Sequence, residues 1–151
     1  MFHIGETSQE SMTMWNLNDG IYKKEQFVVM QKLYGASDGK DHAPKIESLS
    51  GIPDFARPGQ ILEVELKAKD PEGSPLTYEF RASTSTQDVL QYYVNVPVPL
   101  KVLGEGPKVI LTVPSKPGIY RLYGYARDRT GHSASISRTL RVVSGDHPEN
   151  L

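Results

Sequence analysis

The sequence contains no cysteine among its 151 residues. A disulfide framework, a thiolate metal site and a cysteine nucleophile are therefore all excluded. An excess of either charge is also missing, because 17 Lys and Arg residues stand against 18 Asp and Glu residues and leave a formal net charge of −1. With no positive field to attract phosphate groups, the composition argues against nucleic acid as a partner.

Long apolar runs are missing too. None approaches the roughly 18 residues that a membrane-spanning helix needs, so no membrane span is predicted. Residues 1–7 have neither the basic nor the apolar region of a signal peptide. We therefore expect a cytoplasmic protein, a piece of a longer protein, or export by another route. The length suits one ordinary domain, or a small domain with an extension.

Sequence signatures of catalysis are likewise missing. The glycines stand singly, so the chain has no Walker loop, no dinucleotide-binding fingerprint and no Gly-x-Ser-x-Gly elbow. No zinc-binding spacing connects the four histidines, which are His3, His42, His132 and His147. The sequence therefore predicts no catalytic residue and no enzyme.

Acidic residues are plentiful, but their setting is that of a surface. Glycoside hydrolysis needs two carboxyl groups about 5–10 Å apart, one of them held protonated. Glu63 and Glu65 share one face of a predicted strand with Lys67 and Lys69. Mixed charges on one strand face are typical of a sheet surface in contact with water.

The residues that are present change in character near Asp41. Before it, helical periodicity predicts a helix from about Tyr22 to Tyr34, capped by Asn18 or Asp19 and stopped by Gly35. Its apolar stripe comprises Phe27, Val29, Met30, Leu33 and Tyr34. Residues 1–42 are thus predicted to be an arm, this helix and a linker.

After Pro44, strand patterns recur about every ten residues between Pro and Gly clusters. The predicted strands are 45–49, 61–69, 76–80, 89–98, 108–113, 118–126 and 134–143, with 83–86 as a loop. Pro97 and Pro99 make the fourth an edge strand or a long excursion. Residues 43–144 therefore predict a mainly β fold, namely a seven-stranded antiparallel immunoglobulin-like sandwich that follows the N-terminal helix. Residues 145–151 are predicted to form a frayed tail.

Three segments resemble the PKD-like and cadherin-like immunoglobulin modules of bacterial surface and secreted proteins: 70–78, 113–123 and 126–132. A closer resemblance is to the junction that follows the catalytic barrel in some bacterial glycoside hydrolases. It rests on residues 19–24, the predicted helix and residues 42–46. This resemblance implies an extracellular or cell-surface accessory domain. Residues 1–35 would then be the end of a barrel whose remaining 200 or so residues are absent from this chain.

Two turns carry acidic residues that could meet at one end of a sandwich. Asp70 and Glu72 lie in the first turn and Asp128 in the second. Calcium takes six to eight oxygen ligands from carboxylates and carbonyls, and related modules sometimes bind it at such turns. The alternative is that Asp70 and Asp128 each bond to the backbone of their own turn. Calcium is the one cofactor that the sequence suggests.

Tyrosines offer a route to sugar binding, because exposed aromatic rings stack on the apolar faces of sugars. Strand alternation places Tyr123 and Tyr125 on the face opposite to Tyr120. The candidate carbohydrate-binding residues are Tyr92, Tyr93, Tyr123 and Tyr125. The alternative is that a neighbouring domain or the helix covers this face, with Tyr120 as a tyrosine-corner anchor.

Taken with the resemblance, these features favour a non-catalytic structural or interaction module of a carbohydrate-active or cell-surface protein. Its partner would be another protein or the catalytic domain of the same assembly. Two alternatives stay open: a polysaccharide-binding module that uses exposed tyrosines, and the C-terminal fragment of a glycoside hydrolase. Self-association through the arm before Asp19 is a further expectation, since an extended arm can add to a sheet edge.

Overall fold

The computed structural model describes residues 15–16, 22–84 and 97–145, the first two by their backbone alone. The single helix of this part of the chain is α1 (Glu25–Leu33). The strands are β1 (Trp15–Asn16), β2 (Tyr22–Lys23), β3 (Lys45–Ser50), β4 (Phe55–Ala56), β5 (Ile61–Lys69), β6 (Thr77–Thr84), β7 (Pro97–Val98), β8 (Lys101–Leu103), β9 (Lys108–Thr112), β10 (Gly118–Arg127) and β11 (Ser133–Val142).

Two sheets form the sandwich, which confirms the predicted mainly β fold. One has five strands in the order β4-β11-β10-β6-β7, and the other has four in the order β3-β5-β9-β8. The prediction of seven strands was too low, because β4 and β8 have only two and three residues and show no periodicity. The sheets are not wholly antiparallel either. Strand β4 pairs with β11 in parallel, where Phe55 lies opposite Arg141.

The core lies between the sheets and follows from strand alternation. In β5, Leu62, Val64 and Leu66 are buried, while Glu63 and Lys67 are exposed. Strand β10 contributes Tyr120, Leu122 and Ala126 to the same core. The sheets approach closely at Gly124, where a Cβ atom would stand 3.1 Å from Cδ2 of Leu66. Burial of these apolar side chains is the main force that holds the sandwich together.

Helix α1 was predicted correctly in kind, but it is shorter than expected. It begins at Glu25, three residues later than predicted, with Lys24 as an N-cap that makes no side-chain capping bond. Residues 22–23 instead pair with β1, so their backbone groups are committed to a sheet. The proposed caps, Asn18 and Asp19, lie outside the described residues. The stop is confirmed, since Gly35 has a φ of 71°.

The sequence also predicted a loop at residues 83–86, an edge strand that ends at Val98, and a C-terminal tail. Residues 83–84 continue β6 rather than starting a loop. The edge-strand prediction is confirmed at Pro97 and Val98, because β7 pairs only with β6, at the edge of the five-stranded sheet. Residues 85–96 and 146–151 lie outside the described part of the chain. Within that part, no helix combines the length and apolar character needed to cross a membrane.

Candidate functional site

The segment before α1 contacts the sandwich at the turn between β10 and β11. The backbone N–H of Lys23 donates a 2.8 Å hydrogen bond to the carbonyl oxygen of Gly131. The guanidinium of Arg127 lies over the ring of Tyr22, 4.4 Å from its centroid, a cation–π contact. One backbone bond and one side-chain contact therefore hold residues 22–23 against the end of this hairpin.

Glu25 joins the start of α1 to the start of the sandwich. Its Oε2 accepts a 2.9 Å hydrogen bond from the backbone N–H of Ala43. Its Oε1 lies 2.9 Å from Nδ1 of His42. A carboxylate in the first turn of a helix is also favoured by the helix dipole. The side chain therefore fixes α1 relative to the linker where the chain enters the sandwich.

Asp128 organises the turn from β10 to β11. Its Oδ1 accepts hydrogen bonds from the backbone N–H groups of Thr130 and His132, at 2.8 and 2.9 Å. In the other predicted turn, Oδ2 of Asp70 accepts a 2.7 Å bond from the N–H of Ser74. Both aspartates thus bond to their own turns, as the alternative to a calcium site predicted.

Three oxygen atoms surround Nδ1 of His132. Oγ1 of Thr130 is 3.0 Å away, Oδ2 of Asp128 is 3.2 Å away and Oδ2 of Asp41 is 3.8 Å away. His132 and Asp128 are buried, with exposed fractions of 4% and 8%, whereas Asp41 is exposed. Asp41, Asp128 and His132 are the one group in the described residues that offers three metal-ligand atoms, all within 4.8 Å of one another. We name these three residues the Asp-His cluster.

Of the three residues predicted to bind calcium, the structure places one in the Asp-His cluster. Asp128 lies with His132 and Asp41 in the Asp-His cluster, to which Asp70 and Glu72 do not belong. Glu72 instead accepts a 3.3 Å hydrogen bond from the backbone N–H of His42. The role of Asp41 has no sequence signature, because a residue in a polar linker shows no pattern that indicates its distant partner. His132 shows no histidine-pair spacing, because its neighbours in the cluster are aspartates.

The tyrosines of β10 are buried rather than presented to solvent. Tyr123 and Tyr125 have exposed fractions of 8% and 2%, and their ring centroids are 6.2 Å apart. Arg127 lies 5.8 Å from the centroid of Tyr125, between that ring and the N-terminal segment. The prediction of exposed sugar-binding rings at these two positions is therefore wrong, because the outer face of β10 is covered. Tyr92 and Tyr93 lie outside the described residues.

Tyr120 provides the anchor that the sequence suggested as an alternative. Its hydroxyl donates a 2.7 Å hydrogen bond to the carbonyl oxygen of Lys116, four residues upstream. The ring is buried in the core between the sheets. This is the arrangement of a tyrosine corner, and it gives Tyr120 a structural role.

The predicted apolar stripe of α1 did not include Val28, which is the buried residue of the helix, with an exposed fraction of 3%. Val29, Leu33 and the C-cap residue Tyr34 are 47%, 73% and 79% exposed. We name these three residues the exposed helix face. Sequence analysis identified them as apolar but expected them in one stripe with Phe27 and Met30, both of which are partly buried.

Comparisons with known proteins found similarity to solved structures, at low sequence identity. No protein-family model and no curated protein sequence matches the chain. Among solved structures, PcoC, a methionine-rich copper resistance protein from Escherichia coli, is 19% identical, with a TM-score of 0.42 over 67% of this chain and 99% of that one. The PKD domain of an M14-like peptidase from Thermoplasmatales archaeon SCGC AB-540-F20 is 15% identical, with a TM-score of 0.43 over 68% and 94%.

A superoxide reductase (neelaredoxin) from Ignicoccus hospitalis T24K is also similar, at 15% identity and a TM-score of 0.39 over 76% of this chain and 91% of that one. Identities and TM-scores this low carry no argument about function. The sandwich is established by the strand pairings of the chain itself.

Proposed function

We propose that the chain is a non-catalytic structural and interaction module of a carbohydrate-active or cell-surface protein. The sandwich holds α1 in a fixed orientation, and the exposed helix face contacts a protein partner or a catalytic domain of the same assembly. The observation that carries the proposal is the division of burial in α1. Val28 packs inward, while Leu33 and Tyr34 are among the most exposed large apolar side chains of the described residues.

The attachment of the helix supports this function. Glu25 bonds to Ala43, and the backbone of Lys23 bonds to Gly131. Hydrogen bonds therefore hold both the residues that precede α1 and the first turn of the helix. A surface that is already ordered loses little conformational entropy when it binds. Such an anchored helix suits a module that positions two parts of an assembly relative to each other.

The chemistry of the exposed helix face also supports it. Val29 and Leu33 are four residues apart, which places them on one side of the helix. Tyr34 follows at the C-terminal end. Aromatic and aliphatic side chains that project together are typical of protein interfaces, where the aromatic ring often contributes most of the affinity. The complementary surface would be an apolar groove on the partner.

The carbohydrate-active setting rests on resemblance. Residues 70–78 and 113–123 resemble surface and secreted immunoglobulin modules, and residues 19–46 resemble the segment after a glycosidase barrel. Polysaccharide binding is the alternative, now limited to Tyr92 and Tyr93 among the original candidates. A titration with a panel of polysaccharides tests it. Binding that is lost in Tyr92→Ala or Tyr93→Ala would support that alternative over the present proposal.

Site-specific photocrosslinking tests the interaction directly. A photoreactive phenylalanine analogue at position 33 should give a discrete crosslinked product in the cells that make the protein. The control is the same analogue at Ile110, which is 40% exposed and lies on β9 of the four-stranded sheet. Ile110 should give no such product, because the interaction is assigned to the helix. Equal crosslinking at both positions, or none at position 33, would contradict the proposal.

The affinity of the module is then measured for the protein that the crosslink identifies, after that protein has been purified. The double substitution Leu33→Ser and Tyr34→Ser should weaken its affinity at least about tenfold, which is the scale of removing an apolar anchor from an interface. Ile110→Ser should leave the affinity unchanged. The module alone should hydrolyse none of the polysaccharides in the panel, and reproducible hydrolysis would overturn its non-catalytic assignment.

A further inference from the structure

We propose that Asp41, Asp128 and His132 bind one transition-metal dication of the zinc class. The site is independent of the exposed helix face. It connects the linker before the sandwich, which carries Asp41, to the turn between β10 and β11, which carries the other two residues.

The spacing of the ligand atoms fits such an ion. Tetrahedral zinc has bonds of roughly 2.0–2.2 Å to nitrogen and oxygen, which places neighbouring ligand atoms about 3.3–3.5 Å apart. Nδ1 of His132 is 3.2 Å from Oδ2 of Asp128 and 3.8 Å from Oδ2 of Asp41. At 3.8 Å the Asp41 oxygen lies slightly beyond this spacing, and its half-exposed side chain is the one that would move to complete the site.

Each carboxylate is oriented for this role by its other oxygen. Oδ1 of Asp128 is held by the backbone N–H groups of Thr130 and His132, which leaves Oδ2 directed at the imidazole. Oδ1 of Asp41 accepts a 3.4 Å hydrogen bond from Oγ1 of Thr130, and its Oδ2 also faces the imidazole. Outer contacts that fix the direction of ligands in this way are a regular feature of metal sites.

The imbalance between donors and acceptors points to a cation. Nδ1 of His132 carries at most one proton, yet Asp41, Asp128 and Thr130 all place an oxygen around it. A single N–H bond satisfies one of these oxygens well, and the 3.8 Å separation from Asp41 is too long for a hydrogen bond. Two ionised carboxylates beside one imidazole balance the charge of a dication. Neutralisation matters here because Asp128 and His132 are buried.

The ligand types select the class of metal. Imidazole nitrogen with carboxylate oxygen suits zinc and its neighbours, whereas calcium takes six to eight oxygen ligands. Three protein ligands leave a fourth position on the exposed side of Asp41, where water would complete the coordination. The same geometry therefore disfavours the calcium site first considered for Asp128.

Isothermal titration of the full, untagged chain with ZnCl2, after removal of metals by a chelator, tests the site. We expect one zinc ion per chain. Asp41→Asn should weaken binding at least about tenfold, because even a change in a group that only orients the ligands lowers metal affinity by about 10–100-fold. Asp41 is the decisive position because its exposed side chain can be changed without disturbing the core.

Matched controls isolate the cluster. Asp38→Asn changes an exposed linker carboxylate that pairs with Lys40, and it should bind zinc as the native chain does. The double variant His3→Gln and His147→Gln should also bind normally, since the proposal assigns neither histidine to the metal. Excess CaCl2 should leave the zinc titration unchanged.

Three results would overturn the proposal: no zinc binding by the native chain, unaltered affinity in Asp41→Asn, or displacement of zinc by calcium. A thermal melt gives a second readout, because a ligand that binds only the folded state raises the midpoint. At the same concentration, zinc should raise the midpoint of Asp41→Asn clearly less than that of the native chain and of Asp38→Asn. An equal rise in all three proteins would mean that zinc binds elsewhere.

Discussion

The backbone N–H of Ala43 donates a 2.9 Å hydrogen bond to Oε2 of Glu25, across 18 positions of sequence. The other carboxylate oxygen of Glu25 lies against the ring of His42. Ala43 is almost completely buried at the point where the chain enters the sandwich. One side chain of α1 therefore satisfies a buried backbone donor of the sandwich, which couples the position of the helix to the stability of that boundary.

Glu25→Ala should destabilise the protein by about 1–2 kcal/mol, because it removes two partly exposed hydrogen bonds and leaves the Ala43 amide without its acceptor. Urea denaturation measures the loss, and hydrogen exchange at the Ala43 amide should become faster. The control is Gln26→Ala, an exposed neighbour on the same helical turn, which should change the stability little. Unchanged exchange at Ala43 in Glu25→Ala would contradict the anchoring role.

Gly51→Ala should be much more harmful than Gly59→Ala, although both glycines have positive φ, of 85° and 72°. A Cβ at Gly51 would overlap the carbonyl oxygen of Glu63, whereas a Cβ at Gly59 meets open space. The strain of a left-handed residue costs about 1–2 kcal/mol at either site. The clash adds to it at Gly51, where we expect more than about 3 kcal/mol in urea denaturation. Equal losses would show that the chain after β3 can shift aside.

The sequence predicted the structure best where one face of a strand is buried, because apolar and polar residues then alternate. The alternation over Ile61–Lys69 predicted both the bounds of β5 and its inward side, because a strand with one wet face must repeat every two residues. Tyr120 was interpretable for a similar reason, since a tyrosine corner is a local motif. Strands β4 and β8 escaped notice because two or three residues cannot show a period.

Features set by distant contacts could not be predicted in the same way. Residues 22–23 continue the helical pattern, but their backbone pairs with β1 and with the β10–β11 turn instead. The burial of Tyr123 depends on what covers the sheet, and strand alternation does not specify that. Asp41 is about 90 positions from His132 in the sequence and meets it only in the folded chain, so the Asp-His cluster has no local signature.

Tyr120→Phe should lower the free energy of unfolding by about 1–1.5 kcal/mol, because it removes the 2.7 Å bond to the carbonyl oxygen of Lys116 and keeps the ring. Urea denaturation measures the change. Tyr34→Phe is the matched control, since that ring is 79% exposed. It should be close to neutral. A loss of the same size in both variants would deny Tyr120 any special anchoring role.

Tyr125→Ala should cost about 3–5 kcal/mol, the usual range for deleting a buried aromatic ring. Tyr123→Phe keeps the ring and removes the hydroxyl that accepts a 3.4 Å hydrogen bond from Ser83, so it should cost less than about 1 kcal/mol. Chemical denaturation followed by circular dichroism separates the two. A Tyr125→Ala variant as stable as the native chain would show that the ring is not packed, and would reopen its role as a sugar-binding residue.

Lys69 should control the titration of Glu47 on the surface of the four-stranded sheet, where their charged groups are 2.8 Å apart. The hydrogen bond from Lys69, followed by its charge, lowers the pKa of Glu47 below its ordinary value, and the same bond raises the pKa of Lys69. The ion pair between Glu47 and Lys69 is therefore fully formed at pH values between the lowered pKa of Glu47 and the raised pKa of Lys69. It weakens as pH falls through the lowered pKa of Glu47 or rises through the raised pKa of Lys69.

The side-chain carboxyl shift of Glu47, followed by NMR across an acid titration, measures this effect. Lys69→Gln should raise the pKa of Glu47 towards that of an ordinary glutamate, and added salt should do the same in the native chain by screening the pair. Lys67→Gln is the matched control, because Lys67 also lowers the pKa of Glu47 but is the weakest contributor. A larger shift from Lys67→Gln than from Lys69→Gln would mean that the pair across β3 and β5 does not form in solution.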